Sequence, residues 1–263
     1  MPRLVLLVLH GMGVVDTDYY IELQAGLAER LGARWHEVSL QPVYYGDLFH
    51  INEQKVWDAF EANPQNKLGW AGVRQFFLFR FADATAFERS FHVERATYQE
   101  VQDRIVEKLR EGFQVCAEHP GTPLVVLSHS LGCQVFSSYA WDVMHPRHPA
   151  PATPPEEFSS LHTWRRFLTM GCNIPIFTAG LSRRQNFQMK PGFEWHNYYD
   201  PCDVLGWPMA QLDEKGSYEG VKDYPFFVGD LLTRWTPLSH MAYWSDGRLL
   251  DRFAAHLLEV LDA

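Results

Sequence analysis

The sequence has few cysteines and none of the spacings that join them into a framework. Only four occur among 263 residues, and no two form a CxxC pair: Cys116, Cys133, Cys172 and Cys202. Scattered cysteines of this kind are typical of free thiols in a reducing compartment, rather than of a disulfide scaffold. A chain of this length can build a core without cross-links. We therefore expect a cytoplasmic protein stabilised by apolar burial.

Long apolar runs and an excess of positive charge are also missing. The run Leu4–Leu9 has six residues, too few for a signal-peptide core, and no stretch approaches the roughly 20 residues of a membrane span. Lysine and arginine number 23 against 32 acidic residues, which gives a net charge of −9. An acidic chain lacks the basic surface that nucleic acids and anionic lipids attract. We expect no nucleic-acid partner and no integral membrane segment.

Motifs that hold phosphate or metal ions are absent as well. The chain contains no GxxxxGK[ST], GxGxxG or HExxH pattern. His145 and His148 lie in a proline-rich loop at 145–157 and lack the helical spacing of zinc ligands. The sequence therefore predicts chemistry that needs neither a metal ion nor an organic cofactor.

What the sequence does contain is an alternation of strands and amphipathic helices. The aliphatic runs at 4–9 and 123–127 are typical of strands buried on both faces. Further strands are predicted at 35–45, 166–171, 193–199 and roughly 226–236, and helices at 17–31, 97–113, 131–143 and 248–261. This alternation predicts an α/β fold, with a mostly parallel sheet and helices on both faces, in a single domain spanning 1–263.

An aromatic-rich segment at 51–90 interrupts this alternation and is predicted to be helical. It holds eight tryptophan and phenylalanine residues. Two interpretations remain open. The segment could form a cap whose side chains, Trp70 and Phe77 among them, bind an apolar part of a substrate. Alternatively, its helices could pack on the sheet as part of the core.

The clearest chemical motif is the elbow, Ser128–Gly132. A buried strand runs directly into this turn and then into a helix. A nucleophile on so sharp a turn needs small residues two positions before and after it, because the backbone is crowded there. The turn would raise Ser130 Oγ above the sheet, and the Leu131 N–H at the helix start could bind an oxyanion. The alternative is an ordinary turn that contains serine.

A second glycine-rich turn, His10-Gly11-Met12-Gly13, follows the first strand. Glycines at such a position let backbone N–H groups approach a reacting carbonyl, so Met12 would supply a second oxyanion donor. His10 is expected to brace this turn. The alternative is a plain connection between a strand and a helix.

These segments resemble the α/β-hydrolase superfamily, specifically its lipase- and esterase-like serine hydrolases. The first strand with HGMG resembles the oxyanion strand, and VVLSHSLG resembles the nucleophile elbow, with Ser128 where the family usually has glycine. The segment TMGCNIP at 169–175 resembles the family's T-x-G-S-P, with Cys172 and Asn173 as departures. The resemblance covers residues 4–13, 123–140, 166–177 and 195–244. It implies an α/β-hydrolase fold whose sheet, of about six strands, begins at the family's third strand.

The family's chain order of serine, acid and histidine implies the rest of a catalytic triad. A late strand leads into the acid loop, residues 200–206, where Asp200 and Asp203 compete. Asp203, followed by Val204, matches the family's acid position better, and Asp200 would then cap the turn. The S-H-x-x-Y-W surroundings of His240 resemble those of the family's catalytic histidine.

The resemblance therefore implies a serine esterase with a small-molecule ester as its substrate. His240, oriented by Asp203, would take the proton of Ser130, and the N–H groups of Met12 and Leu131 would hold the oxyanion. The substrate is expected to carry an apolar acyl or alkyl part. Two alternatives remain: an acyltransferase or thioesterase with the same triad, and a non-catalytic binding protein that keeps the fold.

Overall fold

The protein, described by a computed structural model, is built around a six-stranded sheet. The structure describes residues 1–13, 15–62, 96–116, 121–145, 161–180, 191–212, 218–229 and 237–263, together with 71, 74, 75, 78 and 187. The strands are β1 (Leu4–Leu9), β2 (Val38–Val43), β3 (Leu124–His129), β4 (Trp164–Met170), β5 (Glu194–Tyr199) and β6 (Val221–Pro225).

Helices connect these strands. The described part of the chain contains α1 (Ile21–Leu31), α2 (Asp47–Glu61), α3 (Ala96–Val115), α4 (Leu131–Met144), α5 (Ile174–Thr178) and α6 (Gly247–Asp262). Two 3₁₀ helices lie at Gly32–Glu37 and Pro237–Trp244.

The order of the strands creates a reversal between β1 and β3. The order is β2-β1-β3-β4-β5-β6, and every neighbouring pair is parallel. The chain passes outward from β1 to β2 and then returns to place β3 on the other side of β1. In open parallel sheets, ligands bind beyond the carboxyl ends of the strands at such a reversal. The turns that follow β1 and β3 therefore meet where a site is expected.

Apolar layers cover both faces of this sheet. All residues of β1 and β3 are buried, which explains their continuous aliphatic runs. The odd-numbered residues of β1 belong to a core shared with α3 and α4, and the even-numbered ones belong to a core shared with α1 and α6. The parallel six-stranded sheet with helices on both faces confirms the predicted α/β-hydrolase fold class.

The last strand differs from the sequence prediction. β6 is Val221–Pro225, whereas the apolar pattern predicted a strand at about 226–236. The strand lies at the edge of the sheet and pairs with β5, so its Lys222 is exposed and it lacks a continuous apolar run. Residues 226–229 follow it without regular secondary structure, and 230–236 lie outside the described residues.

The aromatic segment at 51–90 is described only in part. Helix α2 covers its first residues, and Trp57 on that helix is buried. Trp70 and Phe77 lie outside the described residues, so the choice between a cap and a packed layer remains a prediction. Within the described part of the chain, no helix has the length and apolar character to cross a bilayer.

Candidate active site

Ser130 occupies a strained turn between β3 and α4. Its backbone has φ 53° and ψ −121°, values that residues with a side chain rarely adopt. Its N–H donates to the carbonyl oxygen of Met170 at 3.1 Å, which ties the turn to the end of β4. The elbow thus has the sharp strand-to-helix geometry that presents a side chain above the carboxyl edge of a sheet.

Two glycines let the turn after β1 touch the elbow. A Cβ on Gly132 would lie 2.6 Å from the carbonyl oxygen of His10, and one on Gly11 would lie 2.8 Å from the Cβ of Ser130. Because neither contact leaves room for a side chain, both positions require glycine. The turn that carries Met12 therefore lies directly beside Ser130. Leu131 begins α4, so its N–H has no acceptor within the helix.

The imidazole ring of His10 is neutral and stabilises this turn through hydrogen bonds. The Tyr45 N–H donates to His10 Nε2 at 3.1 Å, so the proton of the ring lies on Nδ1, which donates to the Gly11 carbonyl at 2.6 Å. The Tyr45 hydroxyl donates to the carbonyl oxygen of His10, and the two rings stack at 4.0 Å. Burial lowers the pKa of His10 to about 4.

His240 and Asp203 form a buried pair. His240 lies on the 3₁₀ helix Pro237–Trp244, and its Nδ1 is 2.7 Å from Asp203 Oδ2. Asp203 Oδ1 accepts the N–H of Leu205 at 2.9 Å. The opposite ring nitrogen of His240, Nε2, is buried and has no hydrogen-bond partner among the described residues. The pair therefore orients an imidazole whose second nitrogen remains available.

The other aspartate of the acid loop faces elsewhere. Asp200 Oδ1 accepts the N–H of Cys202 at 2.7 Å, and its Oδ2 accepts the N–H of Val228 at 3.0 Å. Tyr243 lies between the two acids: its hydroxyl accepts the Asp200 N–H at 2.8 Å and donates to Asp203 Oδ2 at 3.0 Å. Burial raises the pKa of Tyr243 well above its usual value, so the hydroxyl remains a donor. Asp200 therefore accepts backbone N–H groups of two loops, whereas Asp203 contacts the imidazole of His240.

A buried amide fixes the segment that follows the acid loop. Asn197 on β5 accepts a hydrogen bond from Thr169 Oγ1 at 2.8 Å and donates to the carbonyl oxygen of Trp207 at 2.9 Å. Its amide also donates to Asp223 on β6 at 2.7 Å, and that carboxylate accepts the N–H of Met209 at 2.9 Å. The loop after Asp203 is thereby attached to three neighbouring strands.

His129 precedes Ser130 in the chain but contacts His240. Its Nε2 donates to the backbone carbonyl of His240 at 2.8 Å, and the two rings lie 4.6 Å apart. The imidazole of His240 therefore packs against the elbow. The sequence pattern contained no indication of this contact between His129 and His240.

Cys133 follows the elbow on α4 and lacks the features of a reactive thiol. Cys133 is buried, its Sγ contacts the carbonyl oxygen of Ser128 at 3.4 Å, and burial raises its thiol pKa well above the usual value. A thiol in that state is a poor nucleophile. Among the described residues, no group of three or more histidine, cysteine, aspartate or glutamate side chains could hold a metal ion.

One polar contact to Ser130 was not predicted. Asn173 at the start of α5 is fully buried, and its Nδ2 donates to Ser130 Oγ at 3.4 Å. The one indication in the sequence is that Asn173 departs from the T-x-G-S-P pattern. The structure thus places the elbow, the His10–Gly13 turn, the Asp203–His240 pair and Asn173 together at the carboxyl edge of the sheet.

The chain matches no protein-family model, and no curated protein matches it. Among solved structures, an acetylxylan esterase at 0.90 Å resolution aligns with 10% identity and a TM-score of 0.40 over 100% of this chain and 98% of that one. An iodinated complex of acetyl xylan esterase aligns with 12% identity and a TM-score of 0.39 over the same shares.

The neutral state of His10 predicts a pH-dependent stability. Its pKa is about 4 in the folded protein and about 6.5 in an unfolded chain. As the pH falls, the unfolded state binds the proton first, so the free energy of unfolding decreases. From about pH 7.5 to about pH 5.5 the loss due to His10 is about 1.4 kcal/mol. Urea unfolding at both pH values measures this loss. In His10→Asn the decrease in the free energy of unfolding between the two pH values should be about 1.4 kcal/mol smaller than in the wild type. Parallel decreases in the variant and wild type would contradict this.

Proposed function

We propose that the protein is a serine hydrolase that cleaves carboxylic esters, with Ser130 as nucleophile, His240 as base and Asp203 as the acid. One observation carries the proposal. The Nδ1 of the buried His240 lies on a carboxylate, its Nε2 has no hydrogen-bond partner among the described residues, and its ring packs against the strained turn that holds Ser130. A serine, a base and a group that orients the base make up the arrangement that activates a hydroxyl nucleophile.

The first half-reaction forms an acyl-enzyme. Ser130 Oγ attacks the ester carbonyl as its proton passes to His240 Nε2, and Asp203 stabilises the resulting imidazolium. The carbonyl oxygen becomes an oxyanion, which the N–H groups of Met12 and Leu131 stabilise in this proposal. When the tetrahedral intermediate collapses, the bond to the alcohol oxygen breaks, and His240 returns the proton to that oxygen.

The second half-reaction releases the acid. A water molecule gives one proton to His240 Nε2 and attacks the acyl carbon, and a second tetrahedral intermediate forms. Its collapse breaks the bond to Ser130 Oγ, which regains the proton from His240. An acyltransferase would replace the water with an alcohol and a thioesterase would expel a thiol, so both alternatives share the chemistry of the triad.

The surroundings of the acid and the base favour a substrate with an apolar part. Val204 and Trp207 follow Asp203 and are 60% and 45% exposed, and Met241, beside His240, is 49% exposed. These apolar side chains lie on the two segments that carry the acid and the base. The roles of Trp70 and Phe77 in binding an acyl or alkyl chain remain predictions.

Replacement of the nucleophile tests the proposal directly. Ser130→Ala should lower kcat for p-nitrophenyl butyrate by about 10⁴-fold, because it removes the atom that attacks the carbonyl. The control is Ser138→Ala on α4, whose hydroxyl accepts a hydrogen bond from Gln134. Near wild-type turnover by Ser130→Ala, at unchanged urea stability, would exclude Ser130 as the nucleophile. A wild type without turnover would favour a binding protein.

The two aspartates of the acid loop provide a matched comparison. Asp203→Asn should lower kcat by about 10⁴-fold, because its amide favours the wrong tautomer of His240. Asp200→Asn should mainly lower the free energy of unfolding, because both carboxylate oxygens accept backbone N–H groups. Kinetics and urea unfolding of both variants measure these effects. A greater loss of kcat in Asp200→Asn would show that the acid is assigned to the wrong residue.

A further inference from the structure

Asn173 has a buried side-chain amide, and only one of its two polar atoms has a hydrogen-bond partner among the described residues. The residue is 0% exposed, and its Nδ2 donates to Ser130 Oγ at 3.4 Å. Its Oδ1 is buried and has no hydrogen-bond partner among the described residues. Nearly all buried polar atoms in folded proteins are paired, so an unpaired one requires an explanation.

Local folding does not provide that explanation. Asn173 is the N-cap residue of α5, a position where an asparagine oxygen usually accepts an N–H of the first turn. Here the side chain makes no capping hydrogen bond. Pro175 has no N–H to donate, and the N–H of Ile176 donates instead to the backbone oxygen of Asn173 at 2.9 Å. The amide is therefore free of the helix and directed toward the nucleophile.

The position of the amide determines what it can contact. In the proposed reaction the carbon of the scissile ester becomes bonded to Ser130 Oγ, the atom that Asn173 Nδ2 touches. Groups attached within a few bonds of that carbon then come within reach of the same amide. Nδ2 can stabilise the charge that develops on Oγ, and Oδ1 can accept a hydrogen bond from the substrate.

This inference rests on the proposed function and refines its substrate class. We propose that Asn173 is a catalytic and specificity-determining residue whose Oδ1 selects esters with a hydrogen-bond donor next to the scissile group. The donor is a hydroxyl or an amide N–H on the carbons adjoining the ester. An ester without such a donor leaves the buried oxygen unpaired, and a site of this kind discriminates strongly against it.

The test compares pairs of esters in which methylation of one member removes this donor. The first pair is 2-hydroxyethyl and 2-methoxyethyl butyrate, and the second is the 2-acetamidoethyl ester and its N-methyl analogue. The wild type should prefer the donor-bearing member of at least one pair by about tenfold in kcat/KM. The pair that shows the preference identifies the donor as a hydroxyl or an N–H.

Variants separate the two atoms of the amide. Asn173→Leu keeps the approximate volume and removes both polar atoms, so the preference should fall to about onefold. Asn173→Asp keeps an acceptor and loses the donor to Ser130. The kcat/KM of Asn173→Asp should fall for both esters of a pair, while the preference between them remains. If Asn173→Leu does not fold, this variant still tests the inference.

Thr163→Val is the matched control. Thr163 is a buried residue whose hydroxyl has no partner among the described residues, and it lies at the amino end of β4, opposite the end that leads to Asn173. This variant should keep both the rate and the preference. A loss of preference in Thr163→Val would assign the effect to general destabilisation and overturn the inference.

The remaining outcomes distinguish a failure of this inference from a failure of the proposed function. If the wild type hydrolyses esters through Ser130 with no preference in either pair, or if Asn173→Leu keeps the preference, the inference is wrong and the function stands. A wild type that hydrolyses no ester at all overturns both.

Discussion

The positive φ of Ser130 is the constraint around which the carboxyl edge of the sheet is arranged. A residue with a side chain in this conformation costs on the order of 1–3 kcal/mol, so surrounding contacts must impose it. The fully buried β3 fixes one side of the turn, and the Met170 carbonyl accepts the N–H of Ser130. Gly11 and Gly132 let β1 approach from the other side. The strain is held at the reversal of strand order, where parallel sheets place their ligand sites.

Most buried polar atoms around this turn are paired. Ser128 Oγ and Ser239 Oγ, together with one atom each of His240 and Asn173, have no hydrogen-bond partner among the described residues. Both oxygens of Asp203 accept hydrogen bonds, and Tyr243 links that carboxylate to the backbone of Asp200. The atoms left without a partner among the described residues include His240 Nε2 and Asn173 Oδ1. Because an unpaired buried polar atom costs about 1–3 kcal/mol, these atoms mark where a substrate is expected to bind.

The fold could be predicted from the sequence where the pattern is strong. The strands β1 and β3 are buried on both faces, so their aliphatic runs and the turns after them are distinctive. The edge strand β6 was missed because only Val221 among its five residues is buried, so it has no apolar run. The apolar residues at 226–236 led to a strand being predicted there instead.

The candidate site was only partly predictable for a different reason. The resemblance ranked Asp203 above Asp200 because Asp203 is followed by Val204, but only the contacts show which carboxylate hydrogen-bonds to His240. The contact of His129 with the backbone of His240 joins residues 111 positions apart, and that of Asn173 with Ser130 joins residues 43 apart. Such contacts follow from the packing of the strands and leave no periodic pattern in the chain.

The central claim is that Ser130 is an activated nucleophile in the folded protein. A fluorophosphonate probe, which labels activated serines, tests this without any assumption about the substrate. Mass spectrometry of the native protein should find one adduct, located on Ser130, and urea-unfolded protein should remain unlabelled. Adducts on another residue, or none on the native protein, would contradict the account.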